Sequence, residues 1–169
     1  MKNKVFKALN AIVMCLICMV LFSTQAMAEA EEDVDWMIPI TVQSKILPPD
    51  IKSSVAQMHG ITRGAYFSTA TLAIGNPEPG VIMINADVMC SSKVDKIYMK
   101  VYLDVNKNGK WNQVKSWSFT KYDVVVASVY MEYTDYEPNQ IYRLRGAYAV
   151  TEGDIVENAS GLTDGLNCE

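Results

Sequence analysis

The sequence predicts an all-β protein, an antiparallel β-sandwich of the immunoglobulin-like or jelly-roll-like kind with about six to eight strands. Beyond residue 62, apolar and polar residues alternate in several short stretches, which is the pattern of strands with one buried face. Clusters of Asn, Pro, Asp and Gly separate these stretches at intervals of roughly 10–12 residues. Because each sheet would have one apolar face, two sheets must cover each other.

The first 28 residues predict a secretory signal peptide. Three lysines precede an apolar run over residues 11–22, and Ala26-Met27-Ala28 provides a cleavage site. The run is too short to cross a bilayer as a helix, which takes roughly 20 residues. The sequence therefore predicts three regions: the signal peptide at 1–28, an acidic tail and N-terminal extension at 29–61, and the β-sandwich domain at 62–169. We expect the processed protein to be secreted and extracellular.

Cleavage makes the chain more acidic. Of the 15 basic residues, Lys2, Lys4 and Lys7 leave with the signal, so 12 remain against 19 acidic residues and the net charge becomes −7. A phosphate backbone would be repelled by this charge, and so would an anionic membrane surface. No later segment is long and apolar enough to span a membrane. We therefore expect no nucleic-acid partner and no membrane span.

The extension from 29 to 61 has little regular pattern. Glu29–Asp35 is acidic and has little to pack, so we expect a solvated tail. Trp36–Ile40 predicts a short edge strand, because its proline cannot donate to a ladder. Apolar residues spaced four and three apart favour one short helix over Ile51–Met58, with a loop as the alternative. That is the only helix the sequence predicts.

The strands of the sandwich follow from the alternation. Val124–Tyr133 is apolar on both faces in its first half, which predicts a central strand. The others have one apolar face each. The predicted strands are Tyr66–Ile74, Val81–Cys90, the two arms of a hairpin within Val94–Phe119, Val124–Tyr133 and Gln140–Val150.

The hairpin Val94–Phe119 is the centre of the predicted fold. Its first arm alternates regularly up to Val105. Asn108 tolerates a positive φ and Gly109 favours one, so a tight turn forms there at little cost. The return arm contains Trp111 and Trp117 in a less regular alternation, which allows a bulge.

The same turn resembles the opening of a calcium-binding loop, with Asp104, Asn106 and Asn108 at the ligand spacing. Such a loop needs a bidentate carboxylate at its twelfth position, which here is Lys115. An ammonium group there would repel the ion. We therefore expect a plain turn, no metal site and no cofactor.

Two cysteines, Cys90 and Cys168, remain after cleavage. An oxidising exterior permits a disulfide between them, which would constrain the unfolded chain by about 4 kcal/mol. The sequence does not give the distance between the two residues, so the bond stays open.

Catalytic constellations are sparse. His59 is the single histidine, and the chain has no nucleophile elbow, no zinc-binding histidine pair and no phosphate-binding loop. A catalytic histidine needs a nucleophile and an orienting carboxylate beside it. We expect His59 to be an exposed residue and the protein not to be an enzyme. A hydrolase with two acidic residues is a distant third hypothesis.

Aromatic residues on the hairpin offer a binding hypothesis. Trp111 and Trp117 share one strand parity, and Tyr98 and Tyr102 share the polar face of the facing arm. Exposed rings beside polar groups stack on sugars or contact a protein. The alternative is that the tryptophans belong to the core.

Several short strings in a fixed order resemble a family of small secreted proteins from Gram-positive bacteria, classified only as a domain of unknown function. The strings are Thr62-Arg63-Gly64, Val94-Asp95-Lys96-Ile97, Gly109-Lys110-Trp111, Tyr142-Arg143-Leu144-Arg145-Gly146 and Thr163-Asp164-Gly165. Relatives often have a histidine two residues after the last glycine of the fourth string, where this chain has Tyr148. The resemblance implies secretion and a compact β domain, and it assigns no activity.

Charged residues within these strings suggest ion pairs across the fold. We expect Arg63, Arg143 or Arg145 to pair with Asp95 or Asp164 and to hold the C-terminal tail. The alternative is a site for an acidic ligand.

The function that the sequence favours is a secreted, non-catalytic module that binds an extracellular protein or a surface partner. The alternative is a carbohydrate- or cell-wall-binding module that uses the exposed aromatics. The sequence does not predict the oligomeric state.

Overall fold

The computed structural model describes residues 43–59 and 65–169, all of which belong to one compact unit, Trp36–Glu169. They form seven antiparallel strands and no helix, which confirms the predicted all-β class. The signal peptide, the acidic tail, the strand predicted at Trp36–Ile40 and Arg63 lie outside the described residues. The strands are β1 (Ser53–His59), β2 (Phe67–Gly75), β3 (Ile82–Lys107), β4 (Lys110–Tyr133), β5 (Gln140–Glu152), β6 (Ile155–Leu162) and β7 (Leu166–Cys168).

Two long strands, β3 and β4, run through both halves of the fold. The first half of β3 lies between β2 and the second half of β4, and its second half lies between the first half of β4 and β5. We call the first group, with β1 at its edge, layer 1. The second group, with β6 and β7 beyond β5, is layer 2. β1 contacts β6, and β2 contacts β5 and β6, although no ladder joins these pairs, so the layers pack face to face.

One core fills the space between the layers. The inward residues of β2 and of the first half of β3, including Leu72 and Ile84, are fully buried. They belong to the same buried cluster as Val101 and Leu144 of layer 2. Removing such apolar surface from water is the main stabilising contribution to the fold, about 25 cal/mol per Å².

The central hairpin is confirmed, and it is longer than the sequence predicts. Asn108 and Gly109 form the turn with φ values of 56° and 78°, as a two-residue turn of type I′ requires. The Asn106 side-chain oxygen accepts the Gly109 N–H at 3.0 Å. Ser91–Lys93, predicted as a connection, instead lies within β3, where the ladder to β4 shifts register between Met89 and Val94. This irregularity lets one strand pass from layer 1 to layer 2.

The segment for which the sequence favours a helix or loop, Ile51–Met58, is a strand instead. Seven residues of β1 pair with β2 from Ser53–Gly75 to His59–Thr69. Ser54 and Met58 face inwards, whereas the Val55 side chain is 64% exposed. Val55 therefore belongs to the outer face, and the helical spacing that includes it is a coincidence. Pairing along β2 overrides the weak local preference.

The second half of β4, predicted as a central strand, is an edge strand. β4 pairs with β3, and no other described strand pairs with it. Val125, Val126 and Tyr130 are exposed by 43%, 49% and 56%. A run of valines is buried on both faces only in a strand that has another strand on each side. Among the described residues, β4 has a neighbouring strand on one side only.

Candidate functional site

Two arginines of β5 share one aspartate of β3 on the outer face of layer 2. Asp104, directly opposite Arg143 in the ladder, is only 2% exposed. Arg145 donates from Nε to Oδ2 at 2.7 Å and from Nη2 to Oδ1 at 3.0 Å, and Arg143 donates from Nε to Oδ2 at 3.2 Å. We call these three residues the arginine cluster. Alternation along β5 places both arginines on one face, so both reach the same carboxylate.

Aromatic rings cover the two guanidinium groups. The Arg143 guanidinium carbon lies 4.2 Å from the centre of the Trp111 ring, and that of Arg145 lies 4.6 Å from the Tyr102 ring. Burial lowers the pKa of Arg143, and the nearby Asp104 carboxylate opposes this effect. The pair is therefore charged, partly desolvated and held in fixed positions.

The arginine cluster holds an N-terminal segment against the C-terminal segment. Arg143 donates from Nη1 to the Ser44 hydroxyl at 3.0 Å, and that hydroxyl donates to the Thr163 carbonyl at 2.8 Å. The Leu47 N–H bonds to the Gly165 carbonyl at 2.9 Å, next to the parallel bridge between Ile46 and Gly165. These contacts favour a structural role for the arginine cluster.

The partner of these arginines is Asp104 rather than either aspartate proposed from the sequence. Asp95 accepts the Gly153 N–H at 2.9 Å, and Asp164 accepts the Lys45 N–H at 2.9 Å. Each carboxylate thus accepts a backbone N–H from a segment that is distant in the sequence. The pairing of Asp104 with the two arginines was not predicted, because Asp104 was interpreted only as part of a calcium-like turn.

Asp104, Asn106 and Asn108 of the calcium-like turn have structural roles within the protein. Asp104 faces the two guanidinium groups, Asn106 accepts the Gly109 N–H, and Asn108 adopts the positive φ of the turn. Within residues 43–59 and 65–169, no group of three His, Cys, Asp or Glu side chains is placed to hold a metal ion.

The four aromatic residues proposed for binding do not share one face of the sheet. A register shift places Gln113 opposite Asp104 and Lys115 opposite Leu103, so one extra residue separates Trp111 from Trp117 on β4. Trp111 is therefore on the outer face, and Trp117 packs against the core.

The other rings of the proposed strip are also engaged. Trp117 meets Tyr133 edge to face, with ring centres 5.7 Å apart. Tyr98 is 5% exposed, and its hydroxyl donates to Ser118 at 3.2 Å. Tyr102 lies beneath Arg145. The prediction that Trp111 and Trp117 share one face is wrong, and the bulge is the physical reason.

Cys90 and Cys168 are both buried and both free. Cys90 pairs with Phe67 at the start of β2, whereas the Glu169 N–H, next to Cys168, bonds to Asn76 just after the end of β2. The two cysteines therefore lie near opposite ends of β2, whose nine extended residues span roughly 30 Å. A disulfide requires Cα atoms within about 7 Å, so the bond that the sequence left open is not formed. Burial raises the pKa of the two thiols to about 11 and about 12.

His59 lies at the exposed end of β1, opposite Thr69. Thr69 directs its hydroxyl to the Met58 carbonyl at 2.9 Å. The prediction that His59 is exposed is confirmed.

A groove of about 390 Å³ lies on the outer face of layer 1. Its floor is formed where Ala73 of β2 and Asn85 of β3 are paired, with Tyr130 of β4 opposite Asn85 on the other side. In the next row Gly75 pairs with Met83. Small side chains on β2 beside larger ones on β3 and β4 create the depression. The groove is lined by residues that include Lys52, Ala73, Gly75, Met83, Asn85 and Tyr130.

The polar groups beside the groove are held in position. Asn85 donates from Nδ2 to the Asp87 carboxylate at 2.6 Å. Lys52 forms an ion pair with Glu169 at 3.0 Å, and Tyr130 donates its hydroxyl proton to Glu132 at 3.0 Å. These contacts fix the directions in which the rim presents charge and hydrogen-bonding groups.

Two exposed apolar side chains lie in the same row of the sheet as the groove floor. Val55 pairs with Ala73 and Tyr130 pairs with Asn85, and the two side chains are exposed by 64% and 56%. We call the groove with these two residues the groove face. The groove face was not predicted from the sequence, because the spacing of Val55 favours a helix and the composition of β4 favours a central strand.

Comparison with known proteins gives a family and no activity. No curated protein matches the chain. The crystal structure of Spo0M, a sporulation control protein from Bacillus subtilis, is similar with a TM-score of 0.30 and 14% sequence identity. The match covers 70% of this chain and 50% of Spo0M, so the chain spans about half the length of that protein. Within the described residues, no helix has the length and apolar character needed to cross a membrane.

The model of one protein family, a family of unknown function (DUF6147), matches residues 46–165. The matched region extends from the N-terminal segment at Ile46 to its bridge partner Gly165, and it includes β1 to β6. This confirms the resemblance to a domain of unknown function. The chain belongs to this family of unknown function.

Proposed function

We propose that this protein is a secreted, non-catalytic β-sandwich module that binds an extracellular protein partner through the groove face. The observation that carries the proposal is the largely apolar groove on layer 1, with the exposed side chains of Val55 and Tyr130 in the same row of the sheet. Contiguous apolar patches of a few hundred Å² on a monomer often mark interaction sites. Export rests on the signal peptide that the sequence predicts.

A partner that covered about 400 Å² of apolar surface would gain roughly 10 kcal/mol before costs. Association itself costs on the order of 4–15 kcal/mol, so apolar contact alone gives weak binding. Polar contacts at the rim therefore have to contribute.

The groove suits an apolar side chain of the partner. Ala73 and Gly75 of β2 provide space beside the larger side chains of Met83 and Tyr130, and the groove surface is mostly apolar. At the rim, Asn85 is oriented by its bond to Asp87 and offers its side-chain carbonyl oxygen as an acceptor. We therefore expect the partner to insert one aliphatic or aromatic side chain and to donate a hydrogen bond beside it.

The protein partner is preferred to a glycan because of how the aromatics are placed. Trp117 and Tyr98 are engaged with the core or with layer 2, and Trp111 is covered by Arg143. Tyr130 is the one strongly exposed ring beside the groove. One ring with a largely apolar groove fits an amino-acid side chain better than a sugar face lined with hydroxyls.

The test fills the groove. An Ala73→Arg variant places a long cationic side chain in the floor, and a Val156→Arg variant makes the same change in charge and a similar addition at an exposed site on β6. Both variants are first checked for unchanged thermal unfolding. Each is then immobilised and exposed to the extracellular fraction of the producing bacterium and, separately, to a glycan array.

We expect the wild type and the Val156→Arg variant to retain the same protein, and the Ala73→Arg variant to lose it by at least about tenfold in affinity. Retention by the Ala73→Arg variant would refute the groove as the site. Binding to glycans that Ala73→Arg abolishes would replace the protein partner with a carbohydrate.

A further inference from the structure

Alternation along the four strands of layer 1 defines the residues of its outer face. Four rows of paired outward residues cross this face from β1 to β4, and the groove lies between the first two rows. In strand order, the rows are Ser53, Gly75, Met83 and Glu132; Val55, Ala73, Asn85 and Tyr130; Gln57, Thr71, Asp87 and Ser128; and His59, Thr69, Met89 and Val126. These rows contain two carboxylates, Asp87 and Glu132, and neither lysine nor arginine. The face is therefore negatively charged at neutral pH.

The two carboxylates are held in position beside the groove. Asp87 accepts a hydrogen bond from the Asn85 Nδ2 at 2.6 Å, and Glu132 accepts one from the Tyr130 hydroxyl at 3.0 Å. Both donors are neutral, so these bonds orient the carboxylates without cancelling their charge. A carboxylate offers about four lone-pair sites, so each keeps room for a donor from outside.

A lysine also lines the groove, but its charge is offset. The Lys52 ammonium group forms an ion pair with Glu169 at 3.0 Å. The charge that the groove surroundings present to a partner is therefore set by Asp87 and Glu132. A cationic group is the complement of such a surface.

The register gives the spacing of the two carboxylates. Asp87 is opposite Ser128, and Glu132 lies four residues beyond Ser128 on β4. With about 3.3 Å per residue along a strand and about 4.8 Å between neighbouring strands, the Cα atoms of Asp87 and Glu132 are roughly 14 Å apart. An extended peptide covers this distance between its residues i and i+4, whereas a helix advances only about 6 Å over the same interval.

The paired residues Asn85 and Tyr130 lie midway between the two carboxylates and line the groove. In an extended peptide, residue i+2 points to the same face as residues i and i+4. Its side chain meets the groove when the two flanking side chains meet Asp87 and Glu132. A lysine or arginine stem lies on apolar surface while its charged end reaches a carboxylate, and near Glu132 the exposed Tyr130 ring also attracts a cation.

We propose that the groove face binds an extended segment of the partner in which basic residues stand two positions before and two positions after an apolar residue. This assignment rests on the proposed function and adds the chemistry of the partner. An acidic segment would place like charges against both carboxylates, which opposes binding. The net charge of −4 of the whole chain also attracts a cationic partner at longer range.

The probes are three synthetic peptides with blocked ends: Arg-Thr-Leu-Thr-Arg, Glu-Thr-Leu-Thr-Glu and Arg-Thr-Ser-Thr-Arg. Each is titrated into the isotopically labelled processed chain at low ionic strength, and the amide chemical shifts are followed by NMR. For the first peptide we expect a Kd on the order of 1 mM, because the contact is small, with shifts centred on Asn85 and Tyr130. The other two peptides should bind about tenfold more weakly or worse.

A matched pair of variants tests the two carboxylates. Asp87→Asn/Glu132→Gln removes both charges and keeps an acceptor for Asn85 and for Tyr130. It should bind the first peptide about fivefold more weakly and lose the discrimination against the glutamate peptide. Glu137→Gln/Asp154→Asn changes the net charge equally at exposed positions outside this face and should bind like the wild type. Thermal unfolding checks that both variants fold.

Equal affinities for the arginine and glutamate peptides would overturn the proposal, and so would an arginine peptide that causes no shifts on the groove face. The same loss of affinity in both charge variants would also overturn it, because the attraction would then be non-specific. The Ala73→Arg capture experiment judges the groove separately. If that variant loses the retained protein while the peptides show no charge preference, the groove remains the binding site and only the basic character of the partner is wrong.

Discussion

Replacing Asp104 with alanine is expected to destabilise the protein more than any comparable change to an exposed carboxylate. The Asp104 side chain is 3% exposed and accepts three hydrogen bonds from two arginines whose side chains are 12% and 21% exposed. Removing one partner of a fully buried ion pair costs about 3–5 kcal/mol. Because the guanidinium groups keep some contact with water and with Trp111 and Tyr102, we expect a loss of about 2–4 kcal/mol.

The assay is urea unfolding at neutral pH, followed by tryptophan fluorescence, for the Asp104→Ala variant and a Glu137→Ala control. Glu137 also forms an ion pair, with Lys107, but the two side chains are 64% and 47% exposed. Exposed pairs contribute about 0–1 kcal/mol, so the control should unfold close to the wild-type midpoint. Equal midpoints for the two variants would refute the assignment of the arginine cluster as a structural element.

Three further predictions concern buried groups. Glu157 accepts three successive backbone N–H groups at and before the start of β2; burial raises its pKa, but these bonds outweigh burial and lower it overall. The stabilisation from Glu157 is therefore complete above the pKa of this carboxyl in the unfolded chain, and it is lost as the pH falls through the lower pKa in the folded protein. We therefore expect urea midpoints measured between pH 6 and pH 2 to fall less for Glu157→Gln than for the wild type. Among the described residues, the buried Tyr148 hydroxyl has no hydrogen-bond partner, so Tyr148→Phe should leave the free energy of unfolding unchanged or raise it. Tyr142→Phe loses two bonds to the backbone of Glu137 and should lower that free energy by about 1 kcal/mol in the same urea assay. Cys90 and Cys168 should each react with a thiol reagent at pH 8 only after unfolding, because both are buried and their thiol pKa values are raised; reaction of either in the native protein would contradict the burial.

The central hairpin was predictable because its signals are local. Asn108 and Gly109 suit the backbone of a two-residue turn, and the alternation before them identifies the buried face. Local signals failed where lateral neighbours decide the structure. β1 has a weak helical spacing that pairing with β2 overrides, and the second half of β4 has the composition of a central strand without a second neighbour.

The candidate sites were less predictable because they are built across strands. Asp104 meets Arg143 and Arg145 only because the ladder places β3 against β5, a register that neither strand specifies alone. The groove combines Ala73 with Tyr130 through an intervening strand. A single bulge in β4 reverses the face on which Trp117 lies, and an irregular alternation in β4 is its only sign in the sequence.

The groove face is tested most directly by photo-cross-linking from single positions. A photoreactive phenylalanine analogue replaces Val55 on the groove face in one variant and Val156 on β6 in another, because the two valines are exposed by 64% and 56%. After irradiation in the extracellular fraction, the binding surface proposed for layer 1 predicts one covalent adduct with a second protein from position 55 and none from position 156. An adduct from position 156 with none from position 55 would contradict it.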